Sequence, residues 1–263
     1  MSENPTDAQS PDPALEPQEM PLVEHLLELR NRLLKVVLSV LLCFAVIYPF
    51  ANELYLWLSQ PLRDLLPEGQ MMIATDITSP FFAPLKLALV VAVFAAIPFI
   101  LYQVWSFIAP GLYKHEKKLA FPLLATSVLL FYLGAAFAYF VVFPLVFGFF
   151  TAIGPEGIVE LPDISSYLNF VLKMFFAFGV AFEIPIATIL MILSGVTTPS
   201  DLAAKRPYVV VGCFVIGMLL TPPDIISQTL LAVPMWILFE LGILFGHLAQ
   251  RRRTSDPLDS PDE

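Results

Sequence analysis

A single carboxylate, Glu183, stands in the run FFAFGVAFEIPIATILMIL, residues 175–193, with Pro185 two positions behind it. At the centre of a membrane span a carboxylate costs about 2.5–3.5 kcal/mol on insertion scales, so it needs a polar cavity, a partner or a proton. Lys173, ten residues before Glu183 in the same span, is near enough to the outer end of that span to snorkel outward instead of pairing. Two more carboxylates fall near basic residues. In PLVEHLLELRNRLLK, Glu24, Glu28 and Arg32 recur at helical i, i+4 spacing, and a Glu28–Arg32 pair contributes about 0.3–0.5 kcal/mol. Glu116 stands beside Lys114, His115, Lys117 and Lys118. A solvated acid in a basic loop is its plain reading, yet two carboxylates on one side of a membrane can receive a dication. In MLLTPPDIISQTLL, Asp224 suits a helix N-terminus, and Gln228 one turn on offers a second polar group to a helix of another protein. Glu240 is read as snorkelling from the inner end of its run.

Bond-making chemistry has little to rest on. The chain contains no HExxH, P-loop, GxGxxG or GxSxG pattern, and His25, His115 and His247 are isolated. Cys43 and Cys213 both lie in apolar runs, which offers neither a disulfide framework nor metal spacing. No enzyme, cofactor or metal is expected.

These side chains must be carried by membrane helices. Of 263 residues, 57% are hydrophobic and only 14% charged, against about a quarter charged in soluble domains. Mean hydropathy is +0.77. Six apolar segments are long enough to consider as spans: residues 33–50, 81–108, 122–150, 167–193, 208–220 and 226–245. The fifth and sixth are short, reaching about 20 and 30 Å at 1.5 Å per residue, against a hydrocarbon core of about 30 Å. Such a pair thins the bilayer locally. Pro98, Pro144, Pro185 and Pro234 lie inside spans and bend them, giving a curved, irregular bundle. Leu22, Leu26, Leu29 and Leu33 form one stripe of an amphipathic helix leading into the first span. Residues 21–247 form the membrane domain, between an acidic, proline-rich tail (1–20) and a solvated tail (248–263) that are both expected to be disordered. Arg30, Arg32, Lys35, Lys114, Lys117, Lys118, Lys205, Arg206 and Arg251 to Arg253 fall on one side. The other side carries Arg63 among acids, so the positive-inside rule puts both termini in the cytoplasm. The net charge of −9 is uninformative, because much of the acid lies in tails and turns.

The blocks HLLELRNRLL (25–34), ATDITSPFFAPLKL (74–87), LYQVWSFIAPGLYKHEKK (101–118), AFGVAFEIP (177–185) and GMLLTPPDIISQTLLAVPM (217–235) together resemble the TatC family of the twin-arginine protein translocase. The resemblance covers roughly residues 22–246 and departs at both tails. It implies six spans in a glove-like concave bundle in the bacterial inner membrane. The family's partners are signal peptides with paired arginines, borne by folded passengers, and the single-span proteins TatA and TatB. These assemble in a multimeric complex that draws on the proton gradient. Position by position, the resemblance assigns Glu28 and Glu116 to the arginine pair, with Arg30, Phe107 and Leu112 as neighbours in the same patch. It makes Glu183 an intramembrane polar site and Met218, Thr221, Asp224 and Gln228 a docking patch. Nucleic acid has no place in this reading. The alternative is a proton-coupled small-molecule carrier using Glu183. An intramembrane hydrolase would need a nucleophile and base at one depth, and neither is found.

Overall fold

The computed structural model describes residues 20–64, 72–108, 117–153, 163–220 and 225–254. Apolar composition and helical periodicity make every described element of length a helix, because within a bilayer only intra-segment hydrogen bonds satisfy the backbone. In order these are α1 (Met20–Ile47), α2 (Ala51–Leu58), α3 (Gln60–Arg63), α4 (Ser79–Ile108), α5 (Lys117–Phe137), α6 (Phe143–Ile153), α7 (Ile164–Ala181), α8 (Ile184–Leu193), α9 (Pro199–Ala204), α10 (Arg206–Leu220) and α11 (Ile225–Thr254). Five stretches are long and apolar enough to cross a membrane: Leu26–Leu58, Ser79–Phe107, Phe121–Phe149, Ile164–Leu193 and Gln228–Leu248; Arg206–Leu220 is shorter. The chain is a multi-pass membrane protein. Of the two spans expected to be short, only the fifth is. Its helix has 15 residues, about 22 Å. The sixth belongs to a 30-residue helix that absorbs Pro234 and continues through the basic residues to Thr254, beyond residue 247.

Two of the prolines interrupt spans in different ways. Before Pro144 the backbone widens into a π-turn, Ala138–Val142, in which the Phe143 N–H reaches the Ala138 carbonyl. Before Pro185 the helix stops: Phe182 and Glu183 form a turn between α7 and α8, with the Glu183 N–H donating to Val180 O at 3.0 Å. Pro98 leaves α4 unbroken, and the carbonyl it strands, that of Phe94, accepts the Tyr132 hydroxyl at 2.8 Å.

α7 is the hub of the packing. Tyr167, Leu168, Val171, Met174 and Phe178 recur along one face and are buried against Val142, Phe143 and Val146 from the third span and Leu87 from α4. By contrast, none of the most apolar window of the first span is buried. Leu26, Leu29 and Leu33 face outward, while Glu28 and Arg32 are only partly exposed, with Arg32 bonded to α4. This reverses a soluble amphipathic helix, because the surroundings of a membrane bundle are apolar. The glycines of GILFG serve close packing within the chain. A Cβ on Gly242 would lie 3.0 Å from Pro185 Cα and from Thr188, and one on Gly246 would collide with Ile192, so α11 lies tight against α8.

At the end remote from Glu28, Asp163 closes the turn before α7. It accepts the Thr75 N–H at 3.1 Å and hydroxyl at 2.8 Å, and caps α7 through the Ser166 N–H at 2.8 Å. The Thr75 N–H foremost, then that of Ser166, holds its carboxyl down at about 2.

Candidate functional site

The end of α1 that precedes the first span meets the C-terminal turns of α4. Glu28 and Arg32 are one helical turn apart, and the Arg32 guanidinium binds Glu28 Oε1 through both Nε, at 3.0 Å, and Nη2. The same guanidinium donates from Nη1 to Gln103 Oε1 at 3.3 Å and from Nη2 to the Ser106 carbonyl at 3.2 Å. Arg32 therefore has acceptors on two helices. Beside it lies a cleft of about 530 Å³ whose polar lining is Glu28, Asn31, Arg32, Lys35, Tyr102, Gln103 and Ser106. Both bonds to Glu28 use one carboxylate oxygen, and the side chain is still 43% exposed, so the group is open to a second donor.

The other residues assigned to this patch are distributed unevenly. Arg30 is exposed and bonded only weakly, at 3.3 Å, to its neighbour Asn31. Phe107 follows Ser106 and so lies at the same end of α4. Glu116 and Leu112 lie outside the described residues.

Glu183 lies at the break between α7 and α8, a position that Pro185 dictates. Its Oε2 accepts the Ser127 hydroxyl at 2.7 Å, and Ser127 Oγ in turn accepts the Trp105 indole N–H at 3.3 Å. Three helical segments thus share one polar chain, with Ser127 wholly buried. The second carboxylate oxygen, Oε1, is also buried, yet it has no hydrogen-bond partner among the described residues. An unmade bond at a buried polar atom costs about 1–3 kcal/mol, and an incoming donor would remove that cost. Sequence reasoning found Glu183 but neither Ser127 nor Trp105. The one signal was a hydroxyl pair, Thr126 and Ser127, in an apolar run, and only packing distinguishes them, since Thr126 bonds its own helix at Pro122 O.

At the far end of the bundle Gln228 spends its amide donor within the chain, on Phe214 O of α10 at 2.7 Å. Its backbone and side chain crowd Gly217, so Gln228 fastens α11 to α10. Met218, one residue on, is 49% exposed and belongs to an outward apolar stripe with Tyr208, Val211, Val215 and Leu219. Thr221 and Asp224 lie outside the described residues. Glu240 does not snorkel: both its oxygens are held by Arg206, Nε at 2.6 Å and Nη2 at 2.9 Å, a fork that fastens the start of α10 to α11.

Comparison with known proteins gives a consistent picture. The model of the family described as Sec-independent protein translocase protein (TatC) matches residues 24–234. A Sec-independent protein translocase protein TatC from Azotobacter chroococcum is 58% identical over 246 residues, covering 94% of this chain and 96% of that protein. The protein of that name from Escherichia coli K12 is 57% identical over 226 residues, covering 86% and 88%. A crystal structure described as the twin arginine translocase receptor TatC superposes with a TM-score of 0.78 at 41% identity, covering 86% of this chain and all of the other.

Proposed function

Since this chain belongs to the TatC family of Sec-independent protein translocases, we propose that it is the signal-peptide receptor and core membrane component of a twin-arginine translocase. It acts in the bacterial inner membrane with both termini in the cytoplasm and exports folded proteins. Its work is recognition and assembly, without bond-making. The observation that carries this reading is that Glu28 already holds a guanidinium, in a polar cleft open at the surface. An arginine of the peptide takes the place of Arg32 on Glu28, while its neighbour engages Glu116. The planar fork of arginine meets a carboxylate through two bonds where lysine offers a point charge. Each charge-assisted bond contributes about 1.5–3 kcal/mol, enough to separate the two.

Deeper in the membrane, the vacant Oε1 of Glu183 accepts a polar group from a partner helix or from the signal peptide. The single-span proteins TatA and TatB dock on the exposed stripe of α10 around Met218, with Thr221 and Asp224 contributing to the contact, and assemble with it into a multimeric complex driven by the proton gradient. Gln228 supports that patch from within by fixing α10 to α11.

The test compares cross-linking, in membranes containing this protein, of a signal peptide bearing Arg-Arg with its Lys-Lys twin. The expected result is a strong Arg-Arg preference that Glu28→Ala and Glu116→Ala each abolish. Equal yields, indifferent to both substitutions, would overturn the assignment and return Glu183 to the reading of a proton-coupled carrier.

A further inference from the structure

An apolar groove of about 740 Å³ opens between α4, α7 and α10. Val90, Phe176, Val180 and Ile216 contribute to its walls, and the polar residues along it are Lys86, Asn169 and Lys173. No acid lines it. Arg32 bonds the far end of α4, so Lys86, early in α4, lies at the end of the bundle remote from Glu28. Asn169 and Lys173 are one turn apart on α7 and share a face. Lys86 Nζ donates to Asn169 Oδ1 at 2.8 Å, which directs it toward α7. The Lys173 ammonium has no hydrogen-bond or ion-pair partner among the described residues, and both lysines are exposed.

Both cations fall within apolar stretches, Ser79–Phe107 and Ile164–Leu193. Ionisable groups at such depth are expensive and are retained with a counter-charge. Both lysine stems are long enough to snorkel toward the interface, and since no acid among the described residues lines the groove, an anionic headgroup at that level supplies the counter-charge. Geometry also limits the occupant's length. Along α7, from Asn169 to Ala181, the groove wall rises about 18 Å, little more than half of the ~30 Å hydrocarbon core. That suits a molecule of one leaflet, whereas a spanning helix needs the full thickness. A second apolar groove, between the third span and α11, has Thr229 as its single polar lining residue and thus nothing to select a headgroup.

We propose that the groove between α4, α7 and α10 binds an anionic phospholipid from the leaflet remote from Glu28. Its phosphate sits between Lys86 and Lys173, and an acyl chain follows Phe176 and Val180. The site is independent of the receptor reading, because it shares no residue with the cleft at Glu28.

Native mass spectrometry of the full chain, equilibrated with equimolar phosphatidylglycerol and phosphatidylethanolamine, tests it. Two lysines near a headgroup correspond to a phosphatidylglycerol preference of about ten- to thirty-fold. Lys86→Gln with Lys173→Gln should bring that preference to near unity. The paired Lys→Arg variant should keep it and so separates loss of charge from loss of fold, and Lys205→Gln, at the other end of the bundle, should also keep it. Val180→Trp should lower retention with both lysines in place, because it fills the trough. Excess inorganic phosphate should not displace the lipid, since the acyl chain contributes to binding. Equal retention of the two lipids by the unaltered chain, or a preference that survives the double Gln variant, would overturn the proposal. So would a photo-cross-linker at Phe176 that, in native membranes, captured protein instead of lipid.

Discussion

Among single residues, the energies around Glu28 and Glu183 differ in a way that suits different tasks. The Glu28–Arg32 contact is a partly exposed i, i+4 ion pair, worth about 0.3–0.5 kcal/mol. It is a weak resident that a bidentate ligand displaces easily. Arg32→Gln should therefore raise the affinity for an Arg-Arg peptide by no more than about two-fold, measured by fluorescence anisotropy, with Glu28→Gln abolishing the gain. A loss above ten-fold would show that Arg32 binds the peptide itself. Ser127 is the opposite case, wholly buried between an indole and a carboxylate. Ser127→Ala strands both and should destabilise the chain by about 1–3 kcal/mol in bicelles by steric trapping, with a shift in Trp105 emission. Thr126→Ala, whose hydroxyl serves its own helix, should be nearly neutral.

Helix junctions carry the next set of consequences. The break at Phe182–Glu183 is locked from behind by α11, where Gly242 allows the closest approach to Pro185. Gly242→Val must push backbone against backbone, and we expect a loss of about 1–3 kcal/mol. Gly242→Ala should cost less, and the order of the two unfolding midpoints in mild detergent checks this. On the far side, Asp163 has a folded value near 2, below its unfolded value of about 3.9. The stabilisation it brings is thus complete above about pH 4 and lost as pH falls through 2. A carboxyl titration by NMR should place its midpoint near 2, and Asp163→Ala should remove a cap worth about 1 kcal/mol at neutral pH. The positions of the helices were legible in the sequence because apolar runs and proline are local signals. The outward leucines of α1 and the use of GILFG within the chain were not, since both depend on which surface a neighbouring helix covers.

For the molecule as a whole, the 15-residue α10 is the exception among spans of 21 residues or more. Mismatch costs fractions of a kcal/mol per Å, so the folded chain should be most stable in bilayers thinner than average. Thermal unfolding in vesicles of decreasing acyl length should rise to a maximum at short chains; a maximum at ordinary thickness would show that the bundle shields α10. The charge asymmetry predicts that a reporter fused after residue 263 remains on the cytoplasmic side, alongside the end carrying Glu28.

Composition alone determined that this is a helical membrane protein, because about 30 Å of hydrocarbon leaves few ways to satisfy a backbone. Local spacing determined that Glu28 faces Arg32 and that Glu183 lies beside a proline. What only the tertiary structure decided is which polar groups are spent and which are free. Gln228, read from sequence as a polar group offered to a partner helix, also donates to α10 within the chain, and Glu240, read as reaching outward, is held by Arg206. Among the described residues, Glu183 retains one buried oxygen without a hydrogen-bond partner, and two lysines converge on a groove that no acid lines. Hydrogen bonds between helices join residues far apart in the chain, and no local pattern encodes such a pairing.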